Sequence, residues 1–137
     1  MSVKMATIEK AVKAYLETIP NIPVFNTEVP DSATSGKQYI TLSFVSPYRA
    51  ARGRGIVSSR NDVNIAGVAV RVCAEDYNIA RSISDQVLDK LTGWVTVGTG
   101  EFTLEGGAQS DSSNSLVKPT KYFRDLAFGF RCNLVSE

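Results

Sequence analysis

The apolar and polar positions are patterned most sharply between Asn61 and Trp94, where a long apolar strand, an acidic corner, an amphipathic helix and a glycine follow one another. In the strand half, Val63 and Ile65 share one parity and Val68, Val70 and Val72 share the other. A period of two turns such a strand over at Ala66-Gly67 unless one extra residue is inserted there. The pattern therefore predicts a bulge at Gly67, the residue type that best tolerates it. After Cys73 the period becomes helical. Asp76 is placed to cap the first turn, and Ile79, Ile83, Val87, Leu88 and Leu91 recur at spacings of three to five. Gly93 supplies a left-handed stop. This helix has one apolar face, which needs a sheet to lie on.

The other elements are read the same way. Residues 6–19 set Ile8, Val12, Tyr15, Leu16 and Ile19 on one helical face, and Pro20 ends the run. Pro23 to Phe25 suits a short edge strand, and Asn26 to Gly36 a polar connection. From Lys37 to Val45, Ile40, Leu42 and Phe44 alternate with Tyr39, Thr41 and Ser43, as in a half-buried strand. Ser46 to Arg60 breaks the pattern and reads as a long loop. Trp94 to Val97 and Glu101 to Glu105 bracket Gly98-Thr99-Gly100 as a hairpin does. Gly106 to Thr120 is so poor in apolar residues that it is expected to stay mobile. Lys121 to Leu134 alternates again, with Leu126, Phe128, Phe130, Cys132 and Leu134 in one row that Arg124 interrupts. A strand this one-sided belongs near the middle of a sheet. The expected architecture is α+β: a mainly antiparallel twisted sheet with two helices packed on one face, plus a hairpin and two long loops.

Composition narrows the class. A chain of 137 residues is expected to form one domain, residues 1–137, with its own core. Its hydrophobic content of 43%, charged content of 21% and net charge of +1 give no general reason to expect nucleic acid or an anionic membrane as partner. Cys73 and Cys132 fall inside expected strands without metal or redox spacing, which favours reduced core thiols. No secretory signal is evident, nor an apolar run near the roughly 20 residues a membrane helix requires, so folding in a reducing cytoplasm is expected.

The chemistry that is missing also matters. The chain has no histidine, the residue most used for proton transfer near neutral pH and the commonest metal ligand. No Gly-x-Ser-x-Gly elbow, dinucleotide fingerprint or phosphate-loop lysine motif occurs. Glu75-Asp76 is an acidic pair at a helix start, where capping accounts for it. The expectation is a protein that is not an enzyme, with no catalytic residues, cofactor or metal. One feature rises above background: the loop with Tyr48, Arg49, Arg52, Arg54 and Arg60, which has no acidic residue between Ser46 and Arg60. Contact with phosphates is a weak reading without wider basic surface, and two stronger ones are open. The loop is either a solvated connection or a segment that orders against a partner's acidic surface, because arginine pairs bidentately with carboxylates.

The chain resembles the tail terminator (tail completion) proteins of long-tailed bacteriophages over nearly all its length. The likeness is carried by the helix ending in Ile19-Pro20-Asn21-Ile22-Pro23-Val24-Phe25, by Gln38-Tyr39-Ile40-Thr41-Leu42 and by the loop leading to Val68-Ala69-Val70-Arg71-Val72. It continues in the helix Ala80 to Val87 and the aromatic strand Tyr122 to Leu134. The resemblance implies a virion protein of the tail and neck, assembled in the host cytoplasm. Its partners are then other copies of itself in a hexameric ring, the tail tube protein and the head-to-tail connector proteins. It implies no membrane and no sequence-specific nucleic acid, although DNA passes through such a ring. Such a ring caps the head-proximal end of the tube, stops its elongation and offers a head-attachment surface. Head-to-tail adaptor or stopper rings and tail tube subunits have related patterns and form the alternative. A small-ligand-binding or enzymatic α+β domain of the cytosol is the alternative from another class.

Overall fold

The computed structural model describes residues 5–20, 22–26, 38–49, 64–96, 98–114 and 120–132. These form, in order, α1 (Met5–Leu16), β1 (Val24–Asn26), β2 (Gln38–Arg49), β3 (Asn64–Ala74), α2 (Tyr77–Leu91), β4 (Thr103–Asn114) and β5 (Lys121–Cys132). The strands make one sheet in the order β1-β2-β3-β5-β4. Every neighbouring pair is antiparallel except β1 on β2, which is parallel. The class is α+β, as expected.

Register sorts the side chains onto two faces. Ile40, Val72 and Arg124 lie in one row across β2, β3 and β5, Leu42, Val70 and Leu126 in the next, and Phe44, Val68 and Phe128 in a third. All of these are on the side covered by the helices. Ile8, Val12 and Leu16 of α1 and Ile83, Val87 and Leu91 of α2 join them in a single buried cluster. Each such aliphatic or aromatic side chain taken out of water contributes about 1.5–3 kcal/mol before entropy is counted. A chain of aromatic rings extends the core: Tyr15 stacks on Trp94 at 4.4 Å, Trp94 tilts onto Phe102, and Phe102 stacks on Phe130 at 4.2 Å. Arg124, which interrupts the apolar row, is accommodated by α2: its Nε donates to Ser84 Oγ at 2.9 Å.

The helix boundaries follow the sequence. Asp76 accepts from Asn78 N at 2.8 Å, and Gly93 takes a φ of +79° as its N–H donates to the Phe102 carbonyl. Glu75 has a different task, pairing with the nearly buried Lys121 at 3.1 Å.

Five expectations are corrected. Ser46 to Arg49, assigned from the sequence to the long loop, belong to β2, where Tyr48 and Arg49 pair with Ile65 and Asn64 beyond the irregularity. The register of β3 on β5 runs without a shift from Asn64 to Ala74, so there is no bulge at Gly67; the irregularity lies in β2, between Val45 and Tyr48. Ala66 belongs to the helix side and Ile65 to the other, while Val63 lies outside the described residues. Trp94 to Thr96 form no strand. The supposed hairpin is a loop pinned by Phe102 N donating to Trp94 O at 2.9 Å, and the strand begins at Thr103. Gly106 to Asn114, expected to be mobile, continue that strand along β5, with an irregularity between Leu104 and Gln109. Ile79, placed on the apolar face of α2, is 42% exposed, and Ala80 and Ser84 take the buried positions instead.

Candidate functional site

Both helices cover the same side of the sheet, so the other side supplies the candidate surface. It carries the alternate residues of β2, β3 and β5, and its two ends differ in kind.

At one end Tyr39, Cys73 and Phe123 lie in a row, and Thr41, Arg71 and Asp125 in the next. Arg71 binds Asp125 through two parallel bonds, Nε to Oδ1 at 2.7 Å and Nη2 to Oδ2 at 3.0 Å, and its guanidinium sits over the Phe123 ring. Tyr39 is buried and donates to the Cys73 sulfur; desolvation first, and that bond second, push its pKa up to about 12. Burial likewise raises the pKa of the Cys73 and Cys132 thiols, neither of which is in a disulfide. A thiol held protonated is a poor nucleophile and a poor ligand. The polar groups at this end satisfy one another.

The other end is open. Val45, Gly67 and Gly129 occupy one row across the three strands, with Ser43, Ala69 and Ala127 beside it. Backbone and methyl groups therefore form a floor, with the Val45 side chain beside Gly67 and the Glu105 carboxylate over Gly129. A groove of about 270 Å³ runs from Ile65 past Gly129 to Glu101 and Arg131, and a second, of about 150 Å³, joins it through Ile65 and Glu105 and reaches Val45. A Cβ at Gly129 would stand 3.0 Å from Glu105 Oε2, so a side chain there would push aside the carboxylate that lies over the strand. Val45 is 55% exposed at the rim. Glu101, Glu105 and Arg131 make no ion pair or hydrogen bond through their side chains with any other described residue. This trough thus joins an apolar floor to uncompensated charge, with two carboxylates against one guanidinium.

Of the residues the sequence singles out, Tyr48 and Arg49 close β2 opposite Ile65 and Asn64, beside the trough, and only their backbone is described. Arg52, Arg54 and Arg60 lie outside the described residues. Sequence reasoning missed the trough itself. The available signal was a pair of glycines, Gly67 and Gly129, in the interiors of two apolar strands, which marks a place where side chains must be absent. A further groove, of about 450 Å³, lies on the helix side between the exit of α1 and the first turns of α2, lined by Ile19, Ile22 and Ile79 among others. Among the described residues no group of three or more carboxylates or thiols is arranged to hold a metal ion. No described helix is long and apolar enough to cross a membrane.

No family model and no curated protein matches the chain. Solved structures do. One, from the virion of a native gene transfer agent particle, is 18% identical, covers 89% of this chain and 84% of its own, and superposes with a TM-score of 0.56. A second, of a protein without a functional designation, is 16% identical over 97% of this chain and 95% of its own, with a TM-score of 0.52. At these identities the likeness is one of fold: the chain shares its sheet-and-helix architecture with a chain of the gene transfer agent virion.

Proposed function

We propose that this chain is a structural protein of a phage-type virion, and that it acts by binding as a ring at the head-proximal end of the tail tube. The observation that carries the proposal is the fold shared with the gene transfer agent virion structure across most of both chains. The resemblance to tail terminators points to the same kind of particle. The open, charged trough also suits a macromolecular partner better than a small ligand, which is usually enclosed. A tube grows by repeated head-to-tail contacts, each subunit recreating the docking face for the next, and such an assembly does not close on itself. A ring that matches the tube on one side and presents a different surface on the other removes the growing end.

Particles made without this protein test the proposal. We expect filled heads beside separate tails of abnormal length in electron micrographs. Unattached tails of normal length would replace this role with that of an adaptor ring, and absent tubes would make the chain a tube subunit.

A further inference from the structure

We propose that the outer half of β4, Gln109 to Asn114, is a strap that opens from β5 while the rest of the sheet stays folded, and that its release bares the edge of β5.

Register divides β4 in two. Leu104 lies opposite Phe128 and Gln109 opposite Leu126, which leaves Glu105, Gly106, Gly107 and Ala108 facing Ala127 alone. The chain is held differently on the two sides of this insertion. On the near side it is anchored in the core. Phe102 is fully buried and stacks on Phe130, its N–H donates to the Trp94 carbonyl at 2.9 Å, its carbonyl accepts from Gly93 N at 2.8 Å, and Leu104 packs against the buried cluster. On the far side the sequence offers no such anchor: from Glu105 to Asn114 the largest apolar residue is alanine. Ser112 and Ser113 are exposed, and β4 is the last strand of the sheet, so β5 is its only neighbour among the described strands. The strap is therefore held by its backbone ladder to β5, whose bonds water replaces at small net cost once it reaches them.

β5 is seated without the strap. Its other edge pairs with β3 unshifted from Tyr122 to Cys132, and polar side chains along the strap's length are bonded that way: Lys121 to Glu75, Asp125 to Arg71, and Arg124 to Ser84 of α2. A segment with little apolar surface to bury, on an open edge, is the kind that opens well below the free energy of global unfolding. Gly106-Gly107, inside the insertion, supplies the hinge, since glycine turns about its backbone at the least steric cost. Once released, the strap leaves Lys121 to Leu126 with a row of unpaired N–H and C=O groups, the chemistry that an extended chain satisfies. The paired strand is the covered state of that edge. This device does not depend on the ring proposed above.

Two measurements test it. The first is hydrogen exchange on the full chain, read amide by amide under conditions where rates report opening equilibria. The bonded amides of Gln109 to Asn114 should be slowed relative to an unstructured chain, yet exchange at least about 100-fold faster than the slowest amides of Val68 to Val72. Leu42→Ala, which opens a cavity two strands away from β5, should speed those β3 amides roughly 30-fold or more and leave the strap within about 2-fold of the parent. A strap that exchanges with β3, or that Leu42→Ala speeds equally, overturns the proposal, and so does a strap with no slowing at all, because nothing would then be paired. In the second, Ser112→Pro plus Ser113→Pro removes adjacent backbone donors, one of which faces β5. Slowing should be lost across the strap while the β3 amides stay within about 3-fold of their parent rates. A variant that fails to fold, or whose β3 amides accelerate as in Leu42→Ala, would make the strap part of the core and end the proposal.

Discussion

The strands β2, β3 and β5 present two faces one residue out of step, and the two are built to opposite ends. On the helix side Leu42, Val70 and Leu126 make one buried row, and Phe44, Val68 and Phe128 the next. On the other side the rows read Thr41, Arg71, Asp125, then Ser43, Ala69, Ala127 and, four residues along β2 from the first, Val45, Gly67, Gly129. The first face spends its side chains on stability. The second holds a self-satisfied polar cluster at one end and, at the other, a glycine and alanine floor bordered by Val45 and by two carboxylates that pair with no described residue. Stability and recognition are thus assigned to alternate residues of the same strands, and substitutions can separate them.

The largest separation is expected at Phe128, fully buried on the helix side. Phe128→Ala removes a large core side chain and leaves a cavity, and should cost about 3–5 kcal/mol in urea unfolding. A loss below about 1 kcal/mol would mean that the helix side is not the core. A smaller effect sharpens the contrast within the free face, where Tyr39 marks the closed end. Its pKa is raised from 10.0 to about 12, chiefly by desolvation, so the folded state prefers the neutral phenol. The stability it contributes is complete below the unfolded pKa and is lost as pH rises from 10 towards 12. The raised thiols of Cys73 and Cys132 begin the same trend from about pH 9. Tyr39→Phe should cost about 1 kcal/mol at neutral pH, from the lost bond to sulfur. It should also flatten the alkaline stability profile above pH 10. A profile with unchanged slope would place Tyr39 in contact with water.

The helix side was legible in the sequence because periodicity records burial directly. Ile8, Val12 and Leu16 announced α1, Ile83, Val87 and Leu91 announced α2, and the row from Leu126 to Cys132 announced an interior strand. Even Arg124 stood out as an intruder, although its partner Ser84 is a contact between distant elements that spacing cannot reveal. The failures share a cause. Gly106 to Asn114 form a strand because the backbone pairs with β5, and backbone hydrogen bonds leave no apolar signature in a Gly- and Ser-rich segment. Parity calls for a bulge in β3 only if Ile65 shares the buried side with Val68; Ile65 stands instead on the helix-free face, and Ala66 takes the buried side. The trough is a juxtaposition of Gly67 with Gly129, made by register alone. Of the arginine-rich segment, the sequence revealed the charge and the structure placed its base; Arg52, Arg54 and Arg60 lie outside the described residues.

The smallest expected change in stability is also the most discriminating. Val45 is 55% exposed, the most open large apolar side chain on the sheet among the described residues, and sits where a Cβ added at Gly67 would meet its methyl group at 3.6 Å. Val45→Thr keeps the branched shape that a strand prefers and replaces one methyl with a hydroxyl. Water already covers more than half of this side chain, so unfolding free energy should move by less than about 0.5 kcal/mol. Binding should move more, because a hydroxyl covered at this apolar position is desolvated without a described partner, at a cost of about 1–3 kcal/mol. We therefore expect Val45→Thr to unfold with the parent in urea while its self-association weakens at least several-fold. Were stability to fall instead and association to hold, Val45 would belong with the core, and the division of labour between the two faces would be wrong.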